Sequence, residues 1–142
     1  MKIKNKHVEN TYKMLFDLDL KGTVSRRRTR FNRLLQSHYI NIIEPEKNEL
    51  KNQYAIKDAS GNIEIFENGN FKVTSEYLNE MDILLNEEMH IDLNEANKEM
   101  LLTVANLFLD EELISVSGEL AEAHDYICEQ FENVIKFYDR QN

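Results

Sequence analysis

Cysteine, proline and glycine are scarce in this 142-residue chain, and each scarcity closes a route. A single cysteine, Cys128, excludes an internal disulfide framework and fits a reducing compartment. There are four glycines, none arranged as a phosphate-cradling loop, so nucleotide chemistry of the Walker or Rossmann kind is not expected. Long apolar runs are missing too. None approaches the ~20 residues needed to cross a bilayer, and the opening MKIKNKHVEN lacks the apolar segment of a signal peptide. The chain is therefore read as cytoplasmic, with no membrane partner. His7, His38, His90 and His124 are scattered without the paired spacing of a helical metal site, and the lone cysteine completes no zinc pattern, so neither metal nor cofactor is expected.

What is abundant is charge, and it is unevenly placed. The net charge is −9, yet residues 1–40 hold ten Lys/Arg against three Asp/Glu, a balance of +7. The remainder holds seven against twenty-three, a balance of −16. An acidic total argues against direct nucleic-acid binding, while the segregation suits steering toward a charged protein partner. Asp110-Glu111-Glu112 and Glu44-x-Glu46 lack the alternating oxygen ligands of a calcium loop and read as solvated surface.

The basic block opens the stretch around which the chain is organised, Thr23 to Asp58, most of it read as one long helix capped by Ser25 or Thr23. At about 100° per residue, Phe31, Leu34, Leu35, His38 and Ile42 fall on one side, and Arg26, Arg30 and Arg33 gather on another. Arg27 and Arg28 border the apolar face, their guanidinium groups reaching outward. Cations in the first turns of a helix oppose its macrodipole by roughly 0.3–1 kcal/mol each. Two arrangements would offset this: the commoner is an internal network with Asp17, Asp19 or the acidic second half, the other an anchor for an acidic or phosphate-bearing partner. Arg26, Arg28, Arg30 and Arg33 are the candidate partner-binding residues.

The rest of the chain reads as a helix-dominated α+β domain spanning 1–142, with about five helices, a β-hairpin and short strands. Met1–Lys4 suits an edge strand paired with Met89–Leu93. Asn5 is read as the cap of a helix over 7–19, with Val8, Tyr12, Leu15, Phe16 and Leu18 inward and Gly22 closing it. Pro45 should kink or break the long helix; after a break, a new helix would run to about Lys57. Gly61–Thr74 reads as a hairpin whose three-residue loop, Asn68–Asn70, sets Ile65 opposite Val73. Three helices follow. One is capped by Ser75, with Tyr77, Leu78, Met81, Leu84 and Leu85 inward. The next is capped by Asn94, with Met100, Leu101, Val104, Leu107 and Phe108 inward. The last starts at Ser117, with Leu120, Ala121, His124, Ile127, Cys128, Phe131, Val134, Ile135 and Tyr138 on its apolar face. Cys128 and His124, one turn apart, read as packing rather than nucleophile and base. We read no internal repeat. Tyr39, Ile40 and Ile43 point away from the centre of the apolar face and leave surface for another helix or a second subunit, hence a possible homo-oligomer.

The segment Leu20-Lys21-Gly22-Thr23-Val24-Ser25-Arg26-Arg27-Arg28-Thr29-Arg30, followed by Leu34-Leu35, then Tyr54 to Asn62, and the closing Val116-Ser117-Gly118 before Ala121 and Tyr126, resembles a family of small uncharacterised proteins. That family is encoded by tailed phages and prophages of Gram-positive bacteria. The resemblance supplies no catalytic residues; Ser25, Arg26, Arg28, Thr29 and Arg30 match its pattern. It implies a gene product acting in the infected bacterial cytoplasm or in virion assembly. The expected function is that of a non-enzymatic accessory protein that binds a host or anti-phage defence protein and inhibits or redirects it. The alternatives are a virion or tail assembly component and an acidic nucleic-acid mimic.

Overall fold

The computed structural model describes residues 1–141. Its two ends of sheet meet far apart in sequence: β1 (Lys2–Lys4) pairs antiparallel with β2 (Glu88–His90), Ile3 opposite Met89. Around them lie α1 (Asn5–Phe16), α2 (Gly22–His38), a π segment (Tyr39–Ile43), α3 (Glu44–Tyr54), α4 (Ser75–Asn86), α5 (Glu95–Leu109) and α6 (Glu119–Asp139). Because α2, the π segment and α3 follow one another without a break in helical backbone, there are five helical bodies, one of them the arginine-led rod. The result is the helix-dominated α+β architecture read from the pattern.

The core joins α1, α2, α5, α6 and both strands. Its aromatic centre is Phe31 and Phe108 against Phe131, with ring centroids 5.6 and 5.5 Å apart. The expected inward residues of α5 are all buried, and the apolar face of α6 lies inward as its spacing requires. Asn94 caps α5 as expected, its Oδ1 accepting from Asn97 N–H at 2.8 Å. Other caps differ. Thr74, not Ser75, caps α4, and α6 opens after Gly118 rather than at Ser117. Neither Thr23 nor Ser25 caps α2, and Gly22, at φ 60°, opens that helix instead of closing α1.

Asn5 is not a cap either. It is the buried first residue of α1, and its side chain ties three helices: Nδ2 donates to Leu84 O at 2.9 Å, and Oδ1 lies 2.7 Å from His38 Nε2. With Nδ2 committed to a carbonyl, Oδ1 must accept, so His38 carries its proton on Nε2. Burial lowers the His38 pKa.

The break expected at Pro45 is absent. Proline has no N–H, and its ring crowds the carbonyl four residues earlier, that of Asn41. The turn before it widens: Glu44 N–H bonds to Tyr39 O, five residues back. The extra residue rotates everything beyond it. Leu35 and Ile43 are eight residues apart, against about 7.2 for two regular turns, so Ile43 turns inward at 1% exposure while Ile42 is left at 43%. This reverses the regular-helix assignment of both isoleucines. Leu34, Phe16 and Leu78, also expected inward, are exposed.

Past α3 the chain departs most from expectation. Three extended segments, 55–57, 63–65 and 71–73, are joined by the bridges Lys57 to Ile63, Ile65 to Phe71 and Ala55 to Val73. Ile65 thus faces Phe71, not Val73, and a third segment closes what was read as a hairpin. Ile56 N–H donates to Lys72 O (3.1 Å), Lys72 N–H to Glu64 O (2.9 Å) and Glu64 N–H to Ile56 O (2.8 Å), a closed ring. These three residues are eight apart, and so are Gly61-Asn62 and Gly69-Asn70 at the turns. There is an internal repeat after all, an octad whose glycines sit at φ 84° and 87°. The ring lies between the outer ends of α3 and α4, which pack on each other; α3 itself has no buried residue.

Candidate protein-binding trough

The five arginines of α2 divide into two groups. Arg28 reaches back to the end of α1, where Nη1 donates to Leu15 O at 2.6 Å, which also accepts from Leu18 N–H at 3.3 Å, and to Leu18 O, just past the helix, at 2.9 Å. Arg27 crosses to α5, donating to Thr103 Oγ1 at 3.1 Å with Glu99 at 3.7 Å. Both turn onto neighbouring elements rather than outward. Glu99 is largely exposed, so the ion pair contributes at most about 1 kcal/mol.

Arg26, Arg30 and Arg33 form the other group. All three are exposed, and among the described residues none has a carboxylate within 4.0 Å. Arg26 donates only to Thr23 Oγ1, at 3.2 Å. The internal network with Asp17, Asp19 or the acidic half therefore does not form for these residues. No acidic side chain stands in the first turn of α2, and of the three only Arg26 lies near that positive end; Arg30 and Arg33 stand further along the rod, beyond the reach of the terminal dipole.

These arginines border one end of a trough along the seam of α1 and α2. A cavity of about 340 Å³ is lined by Ser25, Arg26, Thr29, Arg30 and Arg33. It shares Thr29 and Arg33 with a second, of about 250 Å³, walled by Tyr12, Phe16, Arg28, Asn32 and Gln36. Tyr12 and Gln36 continue into a third, of about 280 Å³, with Val8 and Leu35 as floor and Tyr39 and Ile40 as rim. One end is cationic and the other apolar. Burial raises the Tyr39 pKa, which keeps its hydroxyl neutral, and the bond from Lys13 holds the Glu9 carboxyl below its ordinary value. In the middle, Asn32 is 5% exposed, with Nδ2 donating to Tyr12 O at 3.3 Å and Oδ1 without a partner among the described residues.

Of the four candidate residues, the structure thus brings Arg26, Arg30 and Arg33 together and assigns Arg28 to the α1–α2 turn, beside the same trough. The walls from α1 were not anticipated, because Phe16 was read as core. The surplus apolar surface at Tyr39 and Ile40 was the one sequence signal for the far end.

Little else offers chemistry. Burial pushes the Cys128 thiol pKa up, and Sγ lies 3.5 Å from Phe108 O and 3.6 Å from His124 Nε2, so the thiol is packed in its protonated form. Among the described residues no group of three His, Cys, Asp or Glu is placed to hold a metal ion, and no helix is long and apolar enough to cross a membrane. Compared with known protein families, curated proteins and solved structures, the chain matches none.

Proposed function

We propose that this chain is a non-enzymatic, phage-encoded accessory protein of the bacterial cytoplasm that binds a host or anti-phage defence protein through the α1–α2 trough and inhibits or redirects it. The observation that carries the reading is the set of three exposed arginines, without acidic partners, at the mouth of an apolar groove. Arg26, Arg30 and Arg33 repeat at i, i+4 and i+7, one stripe along the helix. Such a stripe is suited to a surface whose carboxylates or phosphates recur along a segment, and the apolar end to one or two aliphatic or aromatic anchors beside them. The resemblance of residues 20–30 to phage-encoded proteins supplies the setting and hence the class of partner.

The test is the variant R26A/R30A/R33A, used as bait beside the parent protein in affinity purification from infected cells. The variant should melt at the parent temperature, since the three side chains are exposed and pair with no carboxylate among the described residues. It should lose the captured partner, more completely at low salt than at high. A clear drop in Tm, or a partner retained at parent levels, would overturn the reading. Stoichiometric recovery of the chain in purified particles would move it to virion assembly instead.

A further inference from the structure

A second surface, between α2 and β2 and sharing no lining residue with the trough, carries unpaired backbone rather than unpaired charge. In the β1–β2 sheet, Ile91 exchanges both hydrogen bonds with Met1, at 2.8 and 2.7 Å, and Asn5 N–H donates to Glu87 O at 2.8 Å. Residues 87, 89 and 91 therefore point their peptide groups at β1, and the alternation of an antiparallel pair turns those of Glu88, His90 and Asp92 the other way. The outer edge of β1 is closed by α6, where Tyr126 Oη accepts from Lys4 N–H at 3.0 Å. The outer edge of β2 is not closed. Among the described residues, only Asp92 O is taken, by Asn97 Nδ2 at 2.9 Å; the N–H groups of Glu88, His90 and Asp92 and the carbonyls of Glu88 and His90 have no partner.

Facing this edge across a cavity of about 410 Å³ is a wall of α2 and the π segment that includes Leu34 and Ile42. Both are large, apolar and exposed, and Ile42 is there because the wide turn before Pro45 rotated it out of the core. The free groups on β2 recur every second residue, about 6.6 Å, which is the repeat of an extended backbone. A helix has no free peptide groups to offer them.

We propose that the outer edge of β2 is a strand-addition site, taking an extended segment with alternating basic and apolar residues from another protein. Residues opposite Glu88 and Asp92 meet carboxylates and are basic; those between them turn toward Leu34 and Ile42 and are apolar. A second copy of this chain is the less suited occupant. Two-fold pairing of β2 with itself about His90 sets Glu88 opposite Asp92 of the second copy, and like charges directly opposite destabilise a pair. The site is separate from the arginine trough, which selects the reverse charge, and it does not depend on the identity of the trough's partner.

The probe is a capped nine-residue peptide of alternating lysine and valine, titrated into the full chain labelled with ¹⁵N. A peptide of the same composition, with its lysines in one block and its valines in another, is the control. The expected result is saturable shifts centred on the amides of Glu88, His90 and Asp92, slowed exchange of the His90 N–H, and at least about tenfold weaker binding of the control. His90→Pro removes an outward N–H at a position where an edge strand tolerates proline, and should abolish the shifts while the melting temperature holds. If that variant unfolds, Glu88→Lys with Asp92→Lys serves instead, and should transfer preference to a glutamate–valine peptide. No saturable binding, equal binding of the control, or binding that survives the substitutions overturns the proposal. So does a dimer in light scattering that the same substitutions dissolve, because the edge would then belong to a second copy.

Discussion

Replacing Asn5 with Ala removes a side chain that ties α1, α2 and α4 at a single point. Two hydrogen bonds go, to Leu84 O and with His38 Nε2, while the backbone bond from Asn5 N–H to Glu87 O stays. A typical internal hydrogen bond contributes about 0.5–1.5 kcal/mol net, and a buried group left unpaired costs about 1–3 kcal/mol. Leu84 O retains Glu87 N–H at 3.2 Å, and His38 is only half-buried, so the lower part of that range applies to each. The expected loss is about 2–3 kcal/mol, which for a domain of this size lowers Tm by roughly 6–15 °C. Asn5→Asp separates the two bonds. It keeps an acceptor for His38, loses the donor to Leu84 O, and sets a carboxylate beside an imidazole, which raises the His38 pKa. The Asp variant should therefore recover stability on acidification, because a raised histidine pKa stabilises the fold at low pH and the gain is lost as pH rises through it. Thermal melts of both variants between about pH 5 and 8 check this. An Ala variant within about 2 °C of the parent, or identical pH profiles for Ala and Asp, would refute the account of this node.

In the parent protein His7 and His38 both have lowered pKa values, each chiefly from burial, with Lys6 and Lys4 adding to it at His7. Unfolding releases them to ordinary values, so the unfolded chain binds more protons and stability falls as pH drops below about 6.5 toward the folded values. Chemical denaturation across that interval should show the slope, and His38→Gln should reduce it. Arg28→Ala uncaps the end of α1 and should cost about 1.5–3 kcal/mol in urea unfolding, whereas Arg26→Ala in the same assay should cost nothing. Gly118 sits at φ 59° and ψ −134°, a conformation nearly closed to residues with a Cβ. Gly118→Ala should therefore destabilise by about 1–3 kcal/mol by calorimetry, although nothing surrounds the added carbon.

The parts of this fold that could be read in advance are those where one spacing rule acts alone. In α5 and α6 the apolar stripe runs at helical period against a single core, and residue after residue lies where that period puts it. The reading fails where a second constraint enters. Ile42 and Ile43 exchange roles because proline chemistry inserts a wide turn, which a uniform angle per residue cannot represent. Asn5 has the chemistry of a cap and is used as a cross-link, a choice made by His38 and Leu84, distant in sequence. The octad was visible as Gly61-Asn62 and Gly69-Asn70, but extending the helix after Pro45 to Lys57 absorbed the first copy, at 55–57, whereas α3 ends at Tyr54. At the trough, the arginine stripe followed from helical geometry. That Arg28, read as reaching outward from the border of the apolar face, turns back instead depends on where α1 stops, at Phe16, and no local signal fixes that end.

The wide turn before Pro45 lies where the rod leaves the core, with α2 held on one side and α3 touching only α4 and the turn itself to any extent on the other. That makes it a fulcrum. The eleven residues of α3 form a lever of about 16 Å, so a tilt of about 10° at the turn carries the octad ring through about 3 Å. Ile42, one wall of the groove beside β2, stands at that pivot. The ring is therefore the part of the rod that a given tilt displaces most, and the groove wall the part it displaces least.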